Sequence, residues 1–307
     1  MPVDPDAPAP TPALLAVLDG AVDLHCHSGP SPFPRRLDHV QASYDGARIN
    51  MRAILVKSHH HNTVMDLLAM SPQLAEAPTP VYGGVALNSE VGGINPSAVA
   101  LSLGLGGRAI WAPTVSSGQH LRAHSHDDGF PSAGVDLREK EVSIFGADGD
   151  VSAATREVAA QIADAGALLT SGHLDGASMR ALFETARDAG VRRLMVQHPD
   201  FIVDDTDADI QAAVDLGAFV EHELAMYHPA VAAPGWPIER LIGWIEKVGP
   251  EHTVIDSDLG QRDNPLPVDG YIHVIGRLLE HGISAKDVRT MICDNTAYLL
   301  GLEEARA

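Results

Sequence analysis

Short apolar runs of strand-forming residues recur along the whole chain, each followed by a helical pattern. This alternation constrains the fold more than any other feature. The runs are Ala21–His25, Ala53–Lys57, Val81–Leu87, Ala109–Pro113, Ala167–Ser171, Arg193–Gln197, Ala218–Glu221 and Thr253–Ser257. Most are continuously apolar, as expected for parallel strands covered on both faces. Helices are expected over Leu37–Ala47, Asn62–Ala75, Pro96–Leu103, Ser152–Ala165, Ala177–Ala189, Asp207–Leu216 and Pro237–Val248, with two or three more after Asp269. Asn62 is a good N-cap, and Asn95-Pro96 is a good helix start. His27 to Lys57 is 30 residues, Lys57 to Asn88 is 31, His173 to His198 is 25, His198 to Glu223 is 25 and Glu223 to Asp258 is 35. One βα unit takes about 30 residues. Eight such units predict an α/β fold, a single-domain (β/α)8 TIM barrel over residues 20–303, with its active site at the C-terminal strand ends. A length of 307 residues suits one such domain, and an apolar share of 45% is ample for its core.

The regular spacing has one long gap, after the fourth strand. Residues 115–150 are rich in Gly, Ser, Asp and His and are expected to form a lid-like insertion over the strand ends, with a small hairpin around Glu141–Phe145. Residues 1–19 are expected to be a flexible tail. The opening segment lacks the basic region and long apolar stretch of a signal peptide. No apolar run approaches the roughly 20 residues of a membrane helix. The two cysteines, Cys26 and Cys293, lie far apart, which argues against a disulfide framework and suits a cytoplasmic location. A net charge of −20 disfavours nucleic acid and anionic membranes as partners and leaves a small-molecule substrate.

The expected strand ends carry the chemistry. In a strand, residues two apart share a face, so His25 and His27 should leave one face together while Cys26 packs on the other. The second strand ends in Lys57, the fifth in His173, the sixth in His198 and the eighth in Asp258. Four imidazoles and a carboxylate converging on one mouth suit Zn2+, with Mn2+ or Fe2+ as alternatives.

This set resembles the amidohydrolase superfamily of metal-dependent hydrolases, in the form of an uncharacterised amidohydrolase-related subgroup. The pattern is His-x-His on strand 1, His on strands 5 and 6, and Asp on strand 8. The closing segment Asn295-Thr296-Ala297-Tyr298-Leu299-Leu300-Gly301-Leu302 also resembles the ending of many members. The resemblance implies that His25, His27 and Asp258 hold a first metal, with His173 joining them or binding a second. It implies that His198 binds a second ion or polarises the substrate. Metal-activated water would attack the substrate, and Asp258 would move a proton from that water to the leaving group. Such barrels often pair, so a homo-oligomer is expected. The chain departs from the pattern at strand 4, where two-metal members often carry a carboxylated lysine and this chain reads Trp111-Ala112-Pro113-Thr114. Lys57 on strand 2 could bridge two metals as a carbamate, anchor a substrate carboxylate or oxyanion, or form a structural ion pair. Whether the site holds one ion or two rests on it.

Around this set, His59 or His61 is expected at the substrate, and His120, His124 and His126 lie in the lid, with His120 a candidate substrate contact. Asp256 shares the face of Asp258 and is expected to orient a ligand histidine. One of Glu221 and Glu223, at the end of the seventh strand, could be of that kind, with a rim salt bridge as the alternative. Arg35 and Arg36 could reach an anionic substrate. The leading function is hydrolysis of an amide, lactam or lactone bond. Its first rival is a mononuclear decarboxylase of unsaturated or aromatic acids. Asp23-Leu24-His25-Cys26-His27 also resembles the opening of the PHP phosphoesterases, but the Asp-x-His of that family is matched here by Asp256-Ser257-Asp258. A non-catalytic ligand-binding barrel is opposed by the complete set of ligand types.

Overall fold

The computed structural model describes residues 10–124, 135, 137, 140–199, 201, 203, 206–231 and 234–302. It is an α/β fold built on two parallel sheets. The first contains β1 (Val22–Cys26), β2 (Ala53–Val56) and β3 (Val81–Tyr82). The second runs in chain order through β4 (Gly84–Ala86), β5 (Ala109–Trp111), β6 (Leu168–Thr170), β7 (Arg193–Val196), β8 (Phe219–Glu223) and β9 (Thr253–Asp256). Every neighbouring pair is parallel. The expected third strand is therefore split at Gly83. Beyond β1 and β9, Cys26 and Leu259 form a parallel bridge, and His27 N donates to Leu259 O at 2.8 Å.

Both faces of the strands are covered. Leu55, Ala86, Trp111, Leu168, Met195 and Val254 pack together on one side. Ile54, Val56 and Ile255 pack against the helices on the other, as do Ile110, Leu169 and Val196. Cys26 joins the helix-facing layer as a buried thiol. Between Asp23 and Cys26 the register of β1 on β2 shifts. Leu24 packs with the Leu55 group, yet the next residue, His25, also turns towards Lys57 and Glu221. A bulge re-aims a side chain in this way, where strict alternation would send His25 to the opposite face.

The helices start where their caps sit. Asp38 and Gln41 form a reciprocal capping box at His39–Gly46, and Thr206 with Asp209 does the same at Asp207–Asp215. Asn62, Asn95, Ser152 and Asp175 each accept a first-turn N–H of the helix that follows. Such a cap contributes about 1 kcal/mol. The single helix expected over 62–75 is broken into Thr63–Ala69 and Ser71–Leu74, because Pro72 cannot continue a helix from the preceding turn. Residues 1–9 lie outside the described part, but Pro12–Leu18 is a helix with Leu18 fully buried, so the expected tail does not reach residue 19. Within 115–150, Gly118–Ala123 is a helix, while residues 125–134, 136, 138 and 139 lie outside the described residues. Among the described residues, an antiparallel bridge joins Phe145 to Val151 in place of the hairpin around Glu141–Phe145. Among the described residues, no helix is long and apolar enough to cross a membrane.

Candidate metal centre

The C-terminal ends of β1, β2, β6, β7 and β9 lead into one set of buried side chains. His25 Nε2 and His27 Nε2 lie 3.4 and 3.0 Å from the same oxygen, Asp258 Oδ1. Donors bound tetrahedrally at about 2.1 Å from one ion stand roughly 3.4 Å apart, so this spacing fits a shared cation. The other nitrogen of each ring is held from behind. His25 Nδ1 faces Glu221 Oε1 at 3.0 Å, and His27 Nδ1 faces the Lys57 carbonyl at 3.2 Å. A carboxylate and a carbonyl only accept, so both rings are held with Nδ1–H and a bare Nε2, the form a metal requires. Lys57, fully buried, places Nζ 3.0 Å from His25 Nε2.

His173 and His198 complete the ring of imidazoles. Their centroids are 5.0 Å apart, and His198 lies 5.4 Å from His25. His198 pairs with Glu223, Nδ1 to Oε1 at 2.9 Å, and its backbone N–H donates to the same oxygen at 3.2 Å. His173 Nδ1 meets His120 Nδ1 at 3.0 Å, and His173 Nε2 is buried with no hydrogen-bond partner. Among the described residues, three triads have donor atoms within 4.8 Å of one another: His25, His27 and Asp258; His25, His198 and Glu223; and His25, Glu221 and Asp256.

Local backbone geometry brings two of these residues in. His198 (φ 49°) and Asp258 (φ 45°) are non-glycine residues in the left-handed region, a strained state that clusters at functional sites. Gly260 (φ +121°) lies so close to the His27 carbonyl that a Cβ would overlap it. The loop after β9 thereby presses Asp258 against β1.

Burial sets the charge states. Burial and the nearby Lys57 push the His25 imidazolium well below its ordinary range. Burial and Arg35 lower His27 to about 4. His59 and His173 are pushed well down, by burial first and then by neighbouring cations. Burial with His124 lowers His120 to about 3. These rings are neutral at pH 7, with lone pairs available to a metal. Burial opposes ionisation of Asp258, but at low pH, where His25 and His27 take up protons, their charge outweighs it and holds the carboxyl far below the usual carboxylate range. Burial also works against a charged His198, yet Glu223 raises it to about 9. Burial lowers Lys57, against the pull of Glu221. Asp256 is pushed well up by burial and by the adjacent Glu221.

The centre opens into a pocket of about 340 Å³ whose lining includes His27, Arg35, His59, His120, His173, His198 and Asp258. His59 is the member of the histidine run that reaches it, with Nδ1 held 2.9 Å from Thr114 Oγ1. His61 is not in the lining. Its ring nitrogens are taken by Ser58 Oγ at 2.8 Å and Asp66 Oδ2 at 2.6 Å, so the expected substrate contact is a surface link to the following helix. His126 lies outside the described residues.

Residues 20–221 match the family described as "Family of unknown function (DUF6282)". The chain belongs to that family. No match is found among the curated proteins. Several solved structures share the fold over nearly the whole chain. An amidohydrolase from Pseudomonas aeruginosa is 13% identical, with a TM-score of 0.60 over 94% of this chain and 98% of that one. The probable dipeptidase PvdM from the same organism is 13% identical, with a TM-score of 0.61 over 94% and 97%. The lactonase Lmo2620 from Listeria monocytogenes is 14% identical, with a TM-score of 0.57 over 93% and 95%. At these identities the likeness is one of fold, and an amidohydrolase-related family fits it.

Within this family member, the carboxylate on His25 Nδ1 is Glu221, and Asp256 lies in the same group of donors. Glu223 does the equivalent service for His198. The sequence signal for both is their own spacing: two residues apart at the end of β8, they share a face. The sequence offered Arg35 as a residue that could reach an anionic substrate, and the fold puts its Nη2 3.3 Å from His27 Nδ1.

Proposed function

We propose that this protein is a metal-dependent hydrolase that uses metal-activated water to cleave an amide, lactam or lactone bond of a small molecule. On this reading the two sheets form one (β/α)8 barrel, with β3 and β4 as halves of one strand and the Cys26–Leu259 bridge as its seam. The observation that carries the reading is the convergence of His25 and His27, both neutral, on the ionised Asp258 at the floor of a pocket.

His25, His27, Asp258 and His173 would hold a zinc ion, and His198 and Lys57 border a second position. The ion would supply Lewis acidity and a water that ionises near neutral pH. Asp258, kept ionised, takes the proton and passes it to the leaving group. His198, held through Nδ1 by Glu223, offers Nε2 to the substrate carbonyl. The Lys57 ammonium steadies negative charge developing beside His25. Neutral His59 and His120 line the walls and shape the substrate's seat.

Elemental analysis of zinc-loaded protein, with turnover measured on a panel of small lactones, lactams and amides, tests this. We expect bound metal and metal-dependent turnover, with Asp258→Asn folded and slowed by about 10²- to 10⁴-fold. Protein that binds no metal, or a fully active Asp258→Asn, sinks the reading. Turnover confined to phosphate esters replaces it with a phosphoesterase.

A further inference from the structure

We infer that Arg35 is the receptor for a carboxylate carried by the substrate, close to the bond being cleaved. The inference deepens the hydrolase reading and rests on it for the position of the reacting centre. Arg35 is rigidly placed. Arg36 N donates to Gly260 O at 2.8 Å, Arg262 N donates to Pro34 O at 3.1 Å, and Arg35 itself forms an antiparallel bridge with Gln261. The guanidinium thus stands in the pocket lining beside His27 and Asp258.

Its donors are largely unspent. A guanidinium carries five N–H donors and no acceptor. Arg35 Nε is buried without a partner, and no carboxylate lies within salt-bridge distance among the described residues. The contrast with other arginines is informative. Arg48 bridges Asp45 and Asp269, and Arg180 reaches Asp209. Arg193 and Arg289 spend their donors on backbone carbonyls, whereas Arg35 Nε has neither kind of partner.

Beside a cation–π contact with Phe33, the remaining hydrogen-bond contact, Nη2 to His27 Nδ1 at 3.3 Å, depends on the tautomer of His27. The Lys57 carbonyl on the same Nδ1 can only accept, so Nδ1 carries the proton whenever Nε2 serves as a ligand. A protonated Nδ1 cannot accept from Arg35. In the ligand-competent state, Arg35 therefore loses that acceptor as well. A carboxylate meets the planar fork with two parallel hydrogen bonds and restores the loss. Asp258 and Asp263 line the same pocket, so a singly charged planar group is favoured over a phosphate or phosphonate dianion.

Calorimetric binding of succinate, succinamate and 3-phosphonopropionate to the zinc-loaded protein separates these chemistries. Each probe has one carboxylate in common and differs at the other end. A charged hydrogen-bonded pair of this kind corresponds to a preference of about 10- to 100-fold for succinate over succinamate. Arg35→Met should abolish the preference, Arg35→Lys should keep part of it, and zinc content should not change in either. Arg35→Gln carries the same comparison if the Met variant does not fold. Equal binding of succinate and succinamate by the native protein overturns the inference, as does a preference that survives Arg35→Met. Tighter, Arg35-dependent binding of 3-phosphonopropionate overturns the carboxylate class. Native protein without zinc defeats the hydrolase reading, while the Arg35-dependent preference, measured in the same samples, still decides the receptor.

Discussion

At the scale of single residues, the centre works through pairs in which a buried acid fixes a neutral or charged ring. Glu221 behind His25 is the clearest case. Gln197 Nε2 donates to the same Glu221 oxygen at 3.3 Å, and Gln197 accepts in turn from Thr170 Oγ1 at 2.9 Å, so the carboxylate is itself anchored. Glu221→Gln keeps the size and removes the charge. We expect a loss of metal affinity of about 10- to 100-fold with little change in fold, read by competition with a chelator. Removing His173, whose buried Nε2 has no protein partner, should lower metal content directly. Unchanged metal in His173→Ala would withdraw it from the ligand set. The proposed ligand histidines and Asp258 were legible in the sequence because each closes an apolar run. Glu221 and Glu223 were visible as a spaced pair, but their partners were not. His25 and Glu221 lie 196 positions apart, and only strand order brings them together.

At the scale of elements, two joints position the site. The first is the register shift in β1, which lets Leu24 enter the packed interior while His25 enters the centre. Alternation of side chains predicts that His25 and His27 share a face, and they do. It does not predict a bulge, which depends on pairing with β2. The second joint is the loop after β9. Ser257 N and Oγ donate to the two oxygens of Asp23 at 3.0 and 2.6 Å, tying that loop to β1. Gly260 then passes against the His27 carbonyl in a backbone conformation that side chains rarely adopt. Gly260→Ala should destabilise the protein by about 1–3 kcal/mol and weaken metal binding, because the strain falls on the joint that carries Asp258. Denaturant unfolding with a parallel metal titration measures both effects; a neutral variant would show that the loop yields without moving Asp258.

At the scale of the whole molecule, burial of so many imidazoles makes stability depend on pH. His27 titrates at about 4 in the fold, His120 at about 3, and both near 6.5 when unfolded. Between those values the unfolded chain binds more protons, so stability is complete above pH 6.5 and falls as pH drops. The His27 shift alone amounts to about 3 kcal/mol. His198 runs the other way: raised to about 9, its contribution is full below pH 6.5 and is lost as pH rises through 9. Asp23, raised to about 6 by burial, recovers part of the acid loss. The depressed histidines outnumber it, so metal-free protein should unfold more readily at pH 5 than at pH 7, with its highest melting temperature near pH 7. A melting temperature that climbs steadily from pH 7 to 5 would contradict neutral rings in the core. The sequence by itself determined the alternation of strands and helices, and with it the positions of His25, His27, Lys57, His173, His198 and Asp258 at strand ends. These follow from periodicity and caps, which act over a few residues. Tertiary structure alone decided that Glu221 backs His25, that His59 rather than His61 faces the pocket, and that Arg35 stands there with no acid within salt-bridge distance among the described residues. Those outcomes depend on which strand lies beside which and on how loops cross their ends, and local sequence carries no record of either.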